Sequence, residues 1–261
     1  MDEDGEYITV GGRRLEIARH GPSPAEAPTL VFLHHGLGCV GTWRDFPARL
    51  ATATGCGAIV YGRLGYGRSD PCSLPRSPRF MHDEGLEVLP ELLDVAGVRE
   101  CVLLGHSDGG SIAIIYAGGT SAAPLRGVIT EAAHVFFEPM TVHALREAKE
   151  SYERGELRER LGKHHGSNTD CAFRGWNDTW LHPGFVNWDL REYLPHVKVP
   201  MLVIQGADDE YGTTAQVETI VRHTAAETQT MMLPDCGHSP HLEQEALMLE
   251  AMRSFVSLAF A

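Results

Sequence analysis

The sequence predicts an α/β protein built on a mainly parallel sheet with helices on both faces, and three observations carry that reading. Short apolar runs, residues 29–33, 57–61 and 102–104 among them, have the unbroken character of strands buried on both sides. Stretches with helical spacing fall between these runs, so strand and helix alternate along the chain. One junction is abrupt: the run ending at Gly105 is followed by His106-Ser107-Asp108-Gly109-Gly110 and then by the helix-forming residues 112–117. A serine at a strand-to-helix corner between glycines presents its hydroxyl at a helix N-terminus, where developing negative charge is favoured.

In chain order, residues 6–10 and 15–18 alternate apolar and polar about Gly11-Gly12 and read as an opening hairpin. The run 29–33 ends in His34-His35-Gly36-Leu37-Gly38, and a helix is expected over 43–51. A second buried strand, 57–61, leads into the glycine-rich segment 62–70. After a proline-rich loop, 71–78, comes a helix over roughly 83–96, with Leu86, Leu89 and Leu93 at helical spacing. The central strand, the serine corner and its helix follow. Residues 125–130, 200–204 and 228–233 read as further strands. A last helix over about 242–259 carries Leu242, Ala246, Leu249, Met252 and Val256 on one face. Ligands of such sheets bind beyond the carboxyl ends of the strands.

Residues 135–190 break the alternation. They contain no buried-strand pattern. Residues 139–161 read as a helix with Val142, Leu145, Ala148 and Tyr152 on one face and a solvated Glu/Arg/Lys face opposite. The remainder is aromatic, with Phe136, Phe137, Phe173, Trp176, Trp180, Phe185 and Trp188. The segment reads as a helical cap over the active site, inserted into a core of residues 1–134 and 191–261. No internal repeat or low-complexity tract is visible.

Composition narrows the function. The 261 residues carry 22 Lys and Arg against 35 Asp and Glu, a net charge of −13, which works against binding nucleic acid or an anionic membrane. No apolar run reaches the roughly 18 residues that a membrane span needs, and the acidic N-terminus lacks the basic-then-apolar pattern of a signal peptide. A cytoplasmic protein is therefore expected. Cys39, Cys56, Cys72, Cys101, Cys171 and Cys236 are scattered, with no Cys-x-x-Cys pair, and read as reduced, mostly packing residues. No metal or cofactor is expected.

A serine hydroxyl is a poor nucleophile and needs a general base, which in turn needs an orienting carboxylate. Both should follow the serine at strand ends, acid before histidine. His238, in Asp235-Cys236-Gly237-His238-Ser239-Pro240, follows the last strand and precedes the last helix. His106, beside the serine, points to the other side of its strand and reads as a packed orienting residue. Gln205-Gly206-Ala207-Asp208-Asp209-Glu210 offers the acid, with Glu131 in reserve. The oxyanion of a tetrahedral intermediate needs two backbone N–H donors. Asp108, after the nucleophile, and Leu37, in the glycine-rich loop after the strand 29–33, are the candidates.

At this point the chain resembles the α/β-hydrolase superfamily. The resemblance rests on His35-Gly36 with Leu37, Arg63-x-Gly65-x-Gly67-x-Ser69, Gly105-x-Ser107-x-Gly109-Gly110, Gly206-x-x-Asp209 and Gly237-His238-x-Pro240-x-x-Glu243. It implies an eight-stranded sheet with the second strand antiparallel, a helical cap after the sixth strand, and Asp209 as the acid. His34 and Cys39 depart from the usual pattern of the loop that shapes the oxyanion hole.

The activity so implied is hydrolysis of a carboxylic ester through an acyl-enzyme, on a small apolar or aryl substrate, with Trp43, Phe136, Trp176 and Trp180 as candidate lining. A carbon–carbon hydrolase of a vinylogous diketone is the alternative, with Arg174 as the cation for the substrate carboxylate. A remoter reading is an NADP-dependent oxidoreductase. It rests on Gly36-x-Gly38-x-x-Gly41, which satisfies a dinucleotide fingerprint on its face, with Arg63 placed to meet a 2′-phosphate.

Overall fold

In the computed structural model, which describes residues 5–261, the chain opens with β1 (Glu6–Val10), β2 (Arg13–His20) and β3 (Thr29–Leu33). Next come α1 (Phe46–Thr54), β4 (Gly57–Tyr61), α2 (Phe80–Asp83), α3 (Leu89–Val95), β5 (Cys101–His106), α4 (Asp108–Gly119) and β6 (Leu125–Glu131). The helices α5 (Pro139–Glu153), α6 (Glu156–His165) and α7 (Thr169–Trp180) precede β7 (Met201–Gly206). The chain closes with α8 (Thr214–His223), β8 (Thr228–Leu233), α9 (Pro240–Glu243) and α10 (Glu245–Ala259). Of the acidic N-terminal segment, residues 1–4 lie outside the described residues.

The strands form one sheet in the order β1-β2-β4-β3-β5-β6-β7-β8. β2 is antiparallel to both neighbours and the other pairings are parallel. Every residue of β3, β4, β5 and β7 is buried, which is why each carries an unbroken apolar run rather than an alternating pattern. The two-residue period of a strand then sorts the core into two. Val31, Leu33 and Leu103 pack on the face covered by α3 and α4, while Leu30, Phe32 and Leu104 pack on the face covered by α1 and α10.

Helix limits differ from the sequence expectation where a single residue resets the chain. The stretch 43–51 is a 3₁₀ turn, Val40–Trp43, followed by α1, which has Pro47 in its first turn and ends at Gly55 with φ +70°. The helix expected over 83–96 begins at Phe80 and passes through a π-helical turn, Glu84–Val88. The single helix expected over 139–161 is two, because Gly155 adopts φ +96° between α5 and α6. The last helix is broken at Gln244, so α10 buries Met248, Met252, Phe255 and Val256. Leu242 is left 39% exposed on the far side of the break.

No helix among the described residues is long and apolar enough to cross a membrane.

Candidate active site

The corner between β5 and α4 is made possible by missing side chains. A Cβ on Gly105 would lie 2.3 Å from Gly109 O, and one on Gly109 would lie 2.0 Å from Leu33 O. Only glycines let β5, β3 and the first turn of α4 approach so closely. Ser107 sits between them at φ +53° and ψ −118°, a backbone region that costs on the order of 1–3 kcal/mol for a residue with a Cβ. Its N–H donates to Glu131 O at 2.8 Å, which pins the corner to the carboxyl end of β6.

Ser107 faces a cavity of about 200 Å³ beyond the carboxyl ends of the strands. His238 lines the same cavity. Its Nδ1–H donates to the Asp209 carboxylate at 2.9 and 3.0 Å. Asp209 follows β7, and its side chain is 1% exposed. It also accepts from Tyr211 N–H at 2.8 Å and from Gln205 Nε2 at 2.7 Å. Burial works to raise the Asp209 carboxyl, but the His238 bond and charge and the Tyr211 N–H outweigh it and hold the pKa below the usual carboxylate value. The structure thus brings Ser107 and His238 to one cavity and hydrogen-bonds His238 to Asp209, without a Ser107–His238 hydrogen bond. Asp208 is exposed. Glu131 meets a different histidine, accepting from His241 Nδ1 at 2.8 Å.

The loop after β3 is held from beneath by Arg63. This guanidinium, 2% exposed, donates to the carbonyls of His34 and His35, the second at 3.1 Å. Its Nη2 lies 3.9 Å from Asp108 Oδ2. Burial raises the Asp108 carboxyl even against the Arg63 charge, and its Oδ1 accepts from Trp180 Nε1 at 3.3 Å. Asp108 opens α4, where first-turn N–H groups lack intrahelical partners. The Leu37 N–H is directed at His35 Nδ1 at 3.3 Å.

Of the five substrate-binding candidates, Trp176 and Trp180 line the cavity, on α7. The other three do not. Trp43 is 2% exposed and packs on Phe32 and His241, because the 3₁₀ turn folds it back onto the α1/α10 face of the sheet. Phe136 bridges through its backbone to Asp189, and Arg191 covers its ring. Arg174 lies on the exposed side of α7, in a surface groove with Lys149 and Asp178.

The remaining lining includes Leu145, His134, Glu210 and Tyr211, which motif spacing does not reveal. His134 follows the carboxyl end of β6, the position that the sheet rule marks for ligand loops. Burial pulls its imidazole down to about 4. Trp176 also covers Gly36, where a Cβ would lie 2.2 Å from its Nε1. Gly36-x-Gly38-x-x-Gly41 runs into a 3₁₀ turn and lies under an indole, which is not the open α-helix N-terminus that a dinucleotide pyrophosphate uses.

Comparison with known proteins agrees with this architecture. A family model described as "Alpha/beta hydrolase family" matches residues 30–251. A proline iminopeptidase from Saccharolobus solfataricus is 27% identical, over 89% of this chain and 86% of its own. Among solved structures, an esterase from Exiguobacterium antarcticum superposes with TM-score 0.77 at 19% identity, covering 97% of this chain and all of the other. An enol-lactonase from Burkholderia xenovorans does so with TM-score 0.74 at 20% identity over the same shares, 97% and 100%.

Proposed function

The chain belongs to the alpha/beta hydrolase family, and from that premise we propose that it is a serine hydrolase cleaving small carboxylic esters through an acyl-enzyme. The observation that carries the reading is the buried Asp209 carboxylate bonded at 2.9 Å to His238, which shares its cavity with the corner serine. In this reading Ser107 Oγ attacks the ester carbonyl while His238 Nε2 takes its proton. The Leu37 and Asp108 N–H groups hold the oxyanion, and Leu37 gives up its 3.3 Å contact with His35 to do so. His238 then returns the proton to the departing alkoxide. Water, deprotonated by the same imidazole, attacks the acyl-enzyme and releases the acid. Asp209 keeps the imidazole in the tautomer that allows each transfer.

The segment 135–190 acts as the cap. Its Leu145, Trp176 and Trp180 supply apolar walls, which suits a short acyl or small aryl group. Among the described residues that line the cavity there is no Lys or Arg. The carbon–carbon reading thereby loses the cation that motivated it.

One observation favours a second reading. Glu210 lines the cavity, and a carboxylate there suits the amine of an N-terminal residue, in keeping with the iminopeptidase similarity. Turnover of p-nitrophenyl esters of increasing chain length, beside prolyl p-nitroanilide, tests both. The expected result is ester turnover that falls to background in Ser107→Ala and by roughly 10⁴-fold in Asp209→Asn. Turnover surviving in Ser107→Ala overturns the mechanism, and a preference for the anilide moves the substrate to peptides.

A further inference from the structure

Two of the six cysteines are not packing residues. Cys72 lies in the loop that follows β4, Cys171 lies in the first turn of α7, and their Sγ atoms are 2.7 Å apart. We propose that Cys72 and Cys171 are a thiol–disulfide modification site, oxidised by low-molecular-weight disulfides, whose closure ties α7 to the loop after β4.

The surroundings distinguish this pair from the other four cysteines. The Cys72 N–H donates to Cys171 Sγ at 3.3 Å, and the Cys171 thiol donates to Cys72 O at 3.4 Å. Arg76 Nη2 donates to Cys72 Sγ at 3.0 Å. That guanidinium is itself fixed by the Leu64 carbonyl at 2.7 Å and the Tyr66 hydroxyl at 3.0 Å. Gly65 makes the room: a Cβ there would lie 2.6 and 2.8 Å from the two sulfurs. The Cys171 thiol, and behind it the Arg76 charge, draw Cys72 down to about 6 against the opposing effect of burial. Burial instead pushes Cys39 and Cys236 up to about 11 and Cys101 up to about 12. Cys72 and Cys171 are half-buried, whereas Cys39, Cys56, Cys101 and Cys236 are buried. The thiolate is the attacking species, so a cation beside a partly exposed sulfur selects Cys72.

The exchange balances in two steps. The Cys72 thiolate attacks one sulfur of an oxidant RS–SR, forming Cys72–S–SR and releasing one thiolate RS⁻. Cys171 loses its proton and attacks Cys72 Sγ, forming the Cys72–Cys171 bond and releasing the second RS⁻. Two protein thiols become one disulfide, and the oxidant takes two electrons and two protons to leave as two RSH. A free thiol reverses both steps. Because α7 also carries Trp176 and Trp180, the bond anchors a wall of the cavity to the sheet-borne loop.

The test is to treat the reduced full chain with glutathione disulfide, block remaining thiols with N-ethylmaleimide, and map its peptides without reduction. The expected result is a Cys72–Cys171 linked peptide that dithiothreitol removes. Cys171→Ser should stop at a Cys72–glutathione mixed disulfide, and Cys72→Ser should react with the oxidant at least roughly tenfold more slowly. Oxidation should also slow amide exchange across α7. Wild type that stays folded by circular dichroism yet forms no such peptide, or Cys72→Ser that reacts as fast as wild type, overturns the proposal.

Discussion

The His106 Nε2 lies 2.7 Å from the carbonyl oxygen of His238, so the residue before Ser107 holds the loop that carries the base proposed to serve it. Burial keeps His106 well below the ordinary histidine range, and a neutral ring whose Nε2 meets a carbonyl carries its proton there. His106 is 1% exposed and packs among His35, His241 and Trp43. In the proposed mechanism it is a positioning residue that acts through His238.

For His106→Ala, the expected outcome is a fall in kcat of roughly tenfold or more with KM little changed, and a stability loss of about 1–3 kcal/mol from the unpaired carbonyl. His106→Asn, which keeps an N–H donor, should restore part of kcat. A variant that loses stability but keeps kcat would show a purely structural role. Ester kinetics and urea unfolding read the two effects separately.

Trp176 and Trp43 should part company. Trp176 walls the cavity, so Trp176→Ala should enlarge it and move the preferred p-nitrophenyl ester to longer acyl chains. Trp43 is a core residue against Phe32 and His241. Its replacement by alanine should cost about 3–5 kcal/mol and leave the chain-length preference where it was. A shifted preference in Trp43→Ala would contradict its placement on the α1/α10 face.

Acid should unfold the protein early. Burial holds His34, His35 and His106 well below 6.5, and takes His134 and His165 from 6.5 to about 4. Between those values the unfolded chain binds more protons than the folded one. The stability these neutral rings contribute is complete above the unfolded value of 6.5 and is lost as pH falls towards 4. Asp209, held below its usual 3.8, has the same sign lower down: its contribution is present above that value and disappears beneath it. Urea midpoints taken from about pH 7.5 down to about pH 4.5 should drop steadily. A flat profile over that interval would mean that these imidazoles are not held neutral.

The strands are legible because burial on both faces demands unbroken apolar runs, and 29–33 and 57–61 coincide with β3 and β4. The corner at Ser107 is legible because close backbone approach demands Gly105 and Gly109 at fixed offsets. Helix breaks are not. Gly155 and Gln244 each reset the helical phase with one residue, and an apolar period averaged over several turns passes over them.

By itself, then, the sequence determined the order of elements, the two-sided sheet and the loops at its carboxyl edge, because each depends on residues adjacent in the chain. Only the tertiary structure decided that Trp176 and Trp180 wall the cavity while Trp43 and Phe136 do not. It alone turned Arg174 outward and brought Cys171 against Cys72. An indole satisfies a core and a pocket equally well by composition, and two thiols far apart in the chain carry no mutual signal. Their partners are chosen by how α7 packs against α5, α6 and the loops at the carboxyl ends of the strands, and that depends on packing across the whole molecule.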